Sequence, residues 1–362
     1  MELFRSPPSR EHIALDRASR SRLIFTAILL LFTVSAAAAG AGTSLQRDVV
    51  FPAYTPMAGN AERVRRLLSP LASRRMQEQL QRAHQALRGQ SVDLAQETFA
   101  LYVPAEAPPQ GYALLVFVPP WEDARVPQQW ISALLRNGTI FVSAAHSGND
   151  ADVLNRREPL ALLAAWNVMQ RYRVDPARVY IGGFSGGSRV ALRLALAYPD
   201  LFRGALLEAG SDPIGTAEVP LPPVELMHRF QQDSRLVFLT GGNDAFHLAQ
   251  DARSRDSLKA WCVFDTDIQF MPRTSHNVAE SGDFARALTA LEQRKAPDPD
   301  KLAACRQRNQ QAVSAQLRQA RTLIEQNRID DARELLERID AQFGGLAGPQ
   351  SVALMRRIER SH

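Results

Sequence analysis

The stretch that most constrains this chain runs from Arg178 to Pro199, RVYIGGFSGGSRVALRLALAYP. It opens on a short apolar run, Val179-Tyr180-Ile181, of the kind that makes a buried strand. Gly182-Gly183-Phe184-Ser185-Gly186-Gly187 follows, and an alanine- and leucine-rich segment then continues to Tyr198, where Pro199 stops it. Strand, sharp glycine turn and helix in that order are the setting of a nucleophile elbow, which holds a serine in a strained backbone conformation with its hydroxyl above the sheet. Glycines two residues before and after that serine are needed because side chains there would strike the neighbouring strand and helix. Gly-x-Ser-x-Gly arises by chance in on the order of one chain in ten. The flanking strand and helix are therefore what favour Ser185 as a nucleophile over an ordinary glycine turn.

The 362 residues have room for one large domain with an appendage, or for two domains. Hydrophobic content of 45% and charged content of 22% are those of a globular protein. The net charge of +5 comes with both signs interspersed and no polybasic block, so no nucleic-acid partner is expected. At the N-terminus, Arg17, Arg20 and Arg22 precede an apolar run from Leu23 to Val34 and a small-residue zone, Ser35 to Ala41. This is the pattern of an export signal over residues 1–39, with cleavage after Ala39 or Ala41. An uncleaved membrane anchor is the alternative, although the apolar run is short for a bilayer span. No cysteine follows the run to carry a lipid. Cys262 and Cys305 are the only two cysteines, and in an exported protein such a pair suggests one disulfide, with two buried free thiols as the alternative.

Residues 43–60 read as an irregular lead-in, and Asn60 to Arg88 as helical, with His84 on the apolar stripe as a packing residue rather than a ligand. From Gln96 the pattern becomes alternating strand and helix. An early half-exposed strand spans Gln96 to Pro104, and buried strands span Tyr112 to Val118 and Thr139 to Ala145. A helix covers Arg157 to Tyr172. Beyond the elbow come strands at Gly204 to Glu208, Arg235 to Thr240 and Val263 to Met271, with a Pro-rich excursion after the first and a helix over 247–260. This alternation predicts a mostly parallel sheet covered by helices on both faces.

With VDPARVYIGGFSGGSRVALRLALAYPDLFRGAL at 174–206, LVFLTGGND at 236–244 and SHN at 275–277, the chain resembles the α/β-hydrolase superfamily, and within it secreted esterases of the polyhydroxybutyrate-depolymerase and feruloyl-esterase type. The resemblance covers roughly residues 96 to 290 and implies the α/β-hydrolase fold and ester hydrolysis, with a small-molecule ester as partner and no cofactor. The implied domain runs over 96–295, between an N-terminal helical segment within 43–95 and a C-terminal tail over 300–362.

A serine hydroxyl needs a base within hydrogen-bond reach, and that base needs an oriented partner. In this fold the order is Ser, acid, His, each after a strand. Among the later histidines only His276 follows the last strand on a loop; His228 lies in the Pro-flanked excursion, His247 opens a helix and His362 is terminal. Asp244, after a Gly-Gly turn, stands at the usual acid position, with Glu208 the main rival and Asp265 and Asp267 further ones. An aspartate after glycines is also ordinary turn chemistry. An oxyanion hole needs two backbone N–H groups, and Gly186 supplies one. The second should follow the strand Leu114 to Val118, where the family has His-Gly and this chain has Pro119-Pro120-Trp121. Proline has no N–H, so Trp121 is the first available donor, unless it forms an apolar lid and the second donor is missing. Ser188 is expected to cap or line the start of the elbow helix, and His146 and Asn149 sit on a loop within reach of the pocket.

After Pro299 the chain is helical and polar. Ala320 and Ala332, either side of a helix break, resemble one tetratricopeptide-like repeat, which cannot bury its own face and should dock on the main domain. A protein partner for these helices is an alternative to a structural buttress. Two other functions share the same residues: a peptidase on this fold, and a weakly catalytic hydrolase-like binding protein.

Overall fold

The computed structural model describes residues 44–360, so the export or anchor segment and His362 lie outside the described residues. The elements begin with strand β1 (Ser44–Val49), helices α1 (Asn60–Leu67) and α2 (Pro70–Arg82), and strands β2 (Phe99–Val103) and β3 (Tyr112–Val118). Next are α3 (Ile131–Arg136), β4 (Thr139–Ala144), α4 (Glu158–Arg171), β5 (Val174–Phe184), α5 (Gly186–Ala197) and β6 (Gly204–Glu208). Then follow α6 (Val224–Asp233), β7 (Arg235–Gly241), α7 (Ala245–Ala260), β8 (Thr266–Met271) and α8 (Ser281–Glu292). The chain closes with α9 (Pro299–Glu325), α10 (Ile329–Phe343) and α11 (Gly348–Arg360).

The strands form one sheet in the order β1-β2-β4-β3-β5-β6-β7-β8. β1 with β2 and β2 with β4 are antiparallel, and every other neighbouring pair is parallel. β3 explains the two-sided cover. Leu114, Val116 and Val118 pack with Leu160 and Leu163 of α4 and Val190 of α5, while Leu115 and Phe117 pack with Leu134 of α3 and Phe284 of α8. A strand buried on both faces has no reason to alternate polar and apolar, hence the unbroken YALLVFV.

Several local expectations change. The lead-in is not wholly irregular, because Ser44–Val49 adds an edge strand to β2. Its register shifts between Gln46 and Val49, where Asp48 has φ +52°, and this bulge with two charged residues hides the strand from pattern reading. β2 is fully buried rather than half-exposed: Phe99 and Leu101 pack to one side, and Ala100 and Tyr102 to the other. The helical stretch from Asn60 breaks at Ser69, whose hydroxyl accepts from the Ala72 N–H at 3.3 Å ahead of Pro70. His84 lies beyond α2, exposed and at φ +52°, and is not a packing residue. His228 sits on α6 rather than in a loop.

The C-terminal helices belong to the same compact unit as the rest of the described chain. Ala320 and Ala332 are both completely buried in the core shared by α9 and α10. A disulfide joins Cys262, just past α7, to Cys305 on α9. Gly345 N–H donates to the Leu221 carbonyl at 2.7 Å, and Asp340 on α10 accepts from the Leu71 N–H of α2 at 3.0 Å. The tail is thus docked at three separate places.

Candidate active site

β5 delivers Ser185 at the carboxyl end of the parallel strands, where crevices of such sheets lie. Ser185 has φ +55° and ψ −121°, a strained conformation for a residue with a side chain. The glycines that flank it are required by close approach. A Cβ at Gly187 would overlap the Val118 carbonyl oxygen at the end of β3, and one at Gly183 would overlap the Gly187 carbonyl. The turn is further fixed by Ser185 N–H, which donates to the Glu208 carbonyl of β6 at 2.8 Å.

His276 and Asp244 meet the serine. His276 Nε2 lies 2.9 Å from Ser185 Oγ, and its Nδ1 lies 2.8 Å from Asp244 Oδ2. With Nδ1 protonated against the carboxylate, Nε2 is left as an acceptor for the serine hydroxyl. Burial pulls the Asp244 pKa up, but hydrogen bonds from His247 and then His276 more than reverse this and leave it below the ordinary aspartate value. The His276 loop is anchored three residues on, where the Ala279 carbonyl accepts from Trp130 Nε1 at 2.8 Å and the Ala279 N–H donates to Glu208 Oε1. Trp130 itself stacks on Phe284 with ring centroids 4.0 Å apart.

The rival acids are otherwise occupied. Glu208 is completely buried, faces Ala279 rather than His276, and leaves Oε2 without a partner among the described residues. Burial pushes its carboxyl up to about 8. Asp265 and Asp267 both pair with the buried Arg235, the latter at 2.8 Å.

For oxyanion donors, the structure gives local placement. Pro119 and Pro120 carbonyls are held by Arg157 Nη2 at 2.8 Å and the Asn149 N–H at 3.1 Å. A trans peptide directs its N–H opposite to its carbonyl, so the Trp121 amide points away from Asn149 N, and it meets no acceptor among the described residues. The Trp121 indole packs on Phe117 at 6.1 Å, under the Arg125 guanidinium. Gly186 is the first residue of α5, where an amide has no intrahelical acceptor.

The cavity of about 540 Å³ at Ser185 and Gly186 is walled by Asn149, Leu154, Arg189 and Asp212, among others. Asn149 reaches the elbow itself, since a Cβ at Gly186 would overlap its Oδ1. His146 instead points to solvent near Glu122, at 3.8 Å. Larger cavities, of about 670 Å³ beside Tyr180 and about 590 Å³ between α6 and α9, contain no paired serine and histidine. Ser188 does not cap the helix; it is completely buried and its hydroxyl has no partner among the described residues.

One residue was missed from sequence. His247, read only as the opening of a helix, places Nδ1 2.9 Å from both Asp244 oxygens and stacks on His276 with centroids 4.1 Å apart. Its spacing from Asp244, three residues into a helix that Asp244 caps, was the available signal. Asp244, His247 and His276 also bring three potential metal-ligand atoms within 4.8 Å of one another, and hydrogen bonds among them already engage all three.

The strand order, the elbow, and the succession of serine, aspartate and histidine after the ends of β5, β7 and β8 define the α/β-hydrolase fold. No protein-family model matches the chain. A protein named as a candidate esterase, NocK, from Nocardia uniformis subsp. tsuyamanensis is 48% identical over 56 residues, 15% of this chain and 16% of that protein. The match therefore spans under a fifth of that relative's length. Among solved structures, S-formylglutathione hydrolase (FrmB) of Staphylococcus aureus has a TM-score of 0.44 at 13% identity, covering 54% of this chain and 92% of that one. The fluorophosphonate-binding serine hydrolase FphF of the same organism gives 0.43 at 12%, covering 55% and 93%. A ferulic acid esterase gives 0.42 at 11%, covering 54% and 92%. At these scores the fold assignment stands on the sheet topology alone.

Proposed function

We propose that this chain is a serine hydrolase of carboxylic esters, working through an acyl-enzyme on Ser185. The observation that carries the reading is the hydrogen-bonded line from Ser185 Oγ through His276 to Asp244, set on a serine of positive φ. His276 takes the hydroxyl proton at Nε2 as Oγ attacks the ester carbonyl, and Asp244 holds the imidazolium that forms. The amides of Gly186 and Trp121 receive the oxyanion; their lack of acceptors among the described residues supports this. His276 then gives the proton to the departing alcohol, and water repeats the sequence to release the acid. The short sequence match to a candidate esterase agrees with this class of substrate.

Export to the periplasm or beyond is part of the proposal. It draws on the N-terminal pattern of basic, apolar and small residues, and on the Cys262–Cys305 disulfide, which suits an oxidising compartment. No helix among the described residues is long and apolar enough to cross a membrane.

The test is labelling by a fluorophosphonate probe together with hydrolysis of a short-chain p-nitrophenyl ester. Labelling should map to Ser185, and Ser185→Ala should abolish it and lower kcat by at least about 10⁴-fold. Full ester hydrolysis by that variant would sink the proposal.

A further inference from the structure

We propose that His247 is a positioning residue of this site: it holds Asp244 from one side and presents its ring face to His276, supporting the imidazolium that His276 becomes. The inference rests on the Ser185–His276–Asp244 reading above.

Asp244 is doubly used. It caps α7, accepting from the His247 backbone N–H at 3.3 Å, and the same carboxylate takes the Nδ1–H groups of both His247 and His276. A carboxylate held only by the base it serves is free to swing about its own χ angles. Here a second imidazole on the same oxygens, itself fixed to a helix, removes that freedom.

The stack adds a second effect. The two rings lie 4.1 Å apart and within 14° of parallel, while Phe184 flanks His276 at 4.8 Å. When Ser185 loses its proton, the charge appears on a ring already held between the stacked His247 imidazole and Phe184, whose aromatic ring attracts cations. The placement of His247 is enforced by the fold. Its side chain is 15% exposed, and the ring edge packs against Gly210, where a Cβ would come within 2.9 Å of His247 Cδ2. Gly210 has φ +123°, so the loop after β6 leaves a slot shaped for this ring.

Three substitutions separate the hydrogen bond from the stack. H247N retains an N–H donor near the Nδ1 position but no aromatic face, H247F retains a face but no donor, and H247A has neither. With a p-nitrophenyl ester, H247A should lose about 10–100-fold in kcat with KM within about twofold. H247N and H247F should each recover part of that loss. In parallel, the low-field proton resonance of the His276 Nδ1–H should shift in H247A, a readout that needs no turnover. An H247A enzyme with wild-type kcat and an unmoved resonance would overturn the inference, as would a loss confined to KM or to thermal stability. Absence of Ser185-dependent turnover in the unmodified protein would instead overturn the functional reading itself.

Discussion

Two carboxylates stand at the ends of adjacent strands, and their surroundings make them different groups. Asp244, past β7, meets three N–H donors, from the backbone and ring of His247 and the ring of His276, and is held below the ordinary aspartate range despite its burial. Glu208, at the end of β6, meets a single amide, keeps one oxygen unpartnered among the described residues, and is pushed by burial up to about 8. One is a carboxylate whose charged form is favoured by two imidazoles and a backbone amide. The other is a hydrogen-bonding peg between β6 and the loop that carries His276, its protonated form favoured by burial. Position at a strand end does not decide which is which; depth of burial, complete for Glu208, and the number of donors aimed at the carboxyl do.

The largest expected effect tests the charged member. Asp244→Asn should lower kcat by about 10⁴-fold, because the amide no longer holds His276 in the tautomer that accepts from serine. Glu208→Gln should change kcat by only a few-fold, since its amide oxygen still accepts from the Ala279 N–H. Equal losses in the two variants, measured on one ester, would erase the distinction.

The next effect is on stability against pH, where the two groups act in opposite directions. Glu208 has a folded pKa raised above 4.5, so its contribution is full below pH 4.5 and is lost as pH rises toward about 8. Asp244, with its folded pKa depressed below 3.8, contributes above that pH and loses its contribution as pH falls further. Denaturant titrations from pH 4 to 8 should show the wild type losing a few kcal/mol relative to Glu208→Gln, on the order set by a shift of this size. Parallel pH profiles for the two proteins would contradict a buried neutral Glu208.

A smaller change probes how Asp244 is held. The disulfide fixes the far end of α7, whose first turn carries Asp244 and His247. Replacing both cysteines by serine should cost about 2–4 kcal/mol of stability. It should leave kcat within a few-fold, because the acid is fixed locally by the two imidazoles. The smallest effect concerns the elbow: Ser188→Ala removes a buried, unpartnered hydroxyl and should raise stability by up to about 1 kcal/mol in the same titrations.

The contrast between the two acids also shows what the amino-acid order carries. Ser185 was legible because an elbow is a local object, spelled by glycines whose missing side chains make room for β3 and α5. Asp244 and His276 were legible by order, as the residues after successive strand ends. Glu208 remained a rival because its partner, the Ala279 amide, is distant in sequence. His247 was passed over because a histidine three residues after an aspartate also describes a routine helix start, and the ring stack exists only once β7 and β8 lie side by side. β1 escaped for another reason: an edge strand with a bulge and charged residues has no apolar period to read. Ser188 lines the start of α5 without capping it, since its amide rather than its hydroxyl bonds to Ser185.

The seating of the C-terminal helices has a consequence for the cavity at Ser185. Gly344 and Gly345 press on Leu221, within the loop between β6 and α6 that also supplies Asp212 and Glu218 to the wall around Ser185. A segment that contributes nothing to the reacting atoms therefore braces one side of their entrance. Sequence change in the tail is thus a route to moving that wall without touching the elbow, Asp244 or His276.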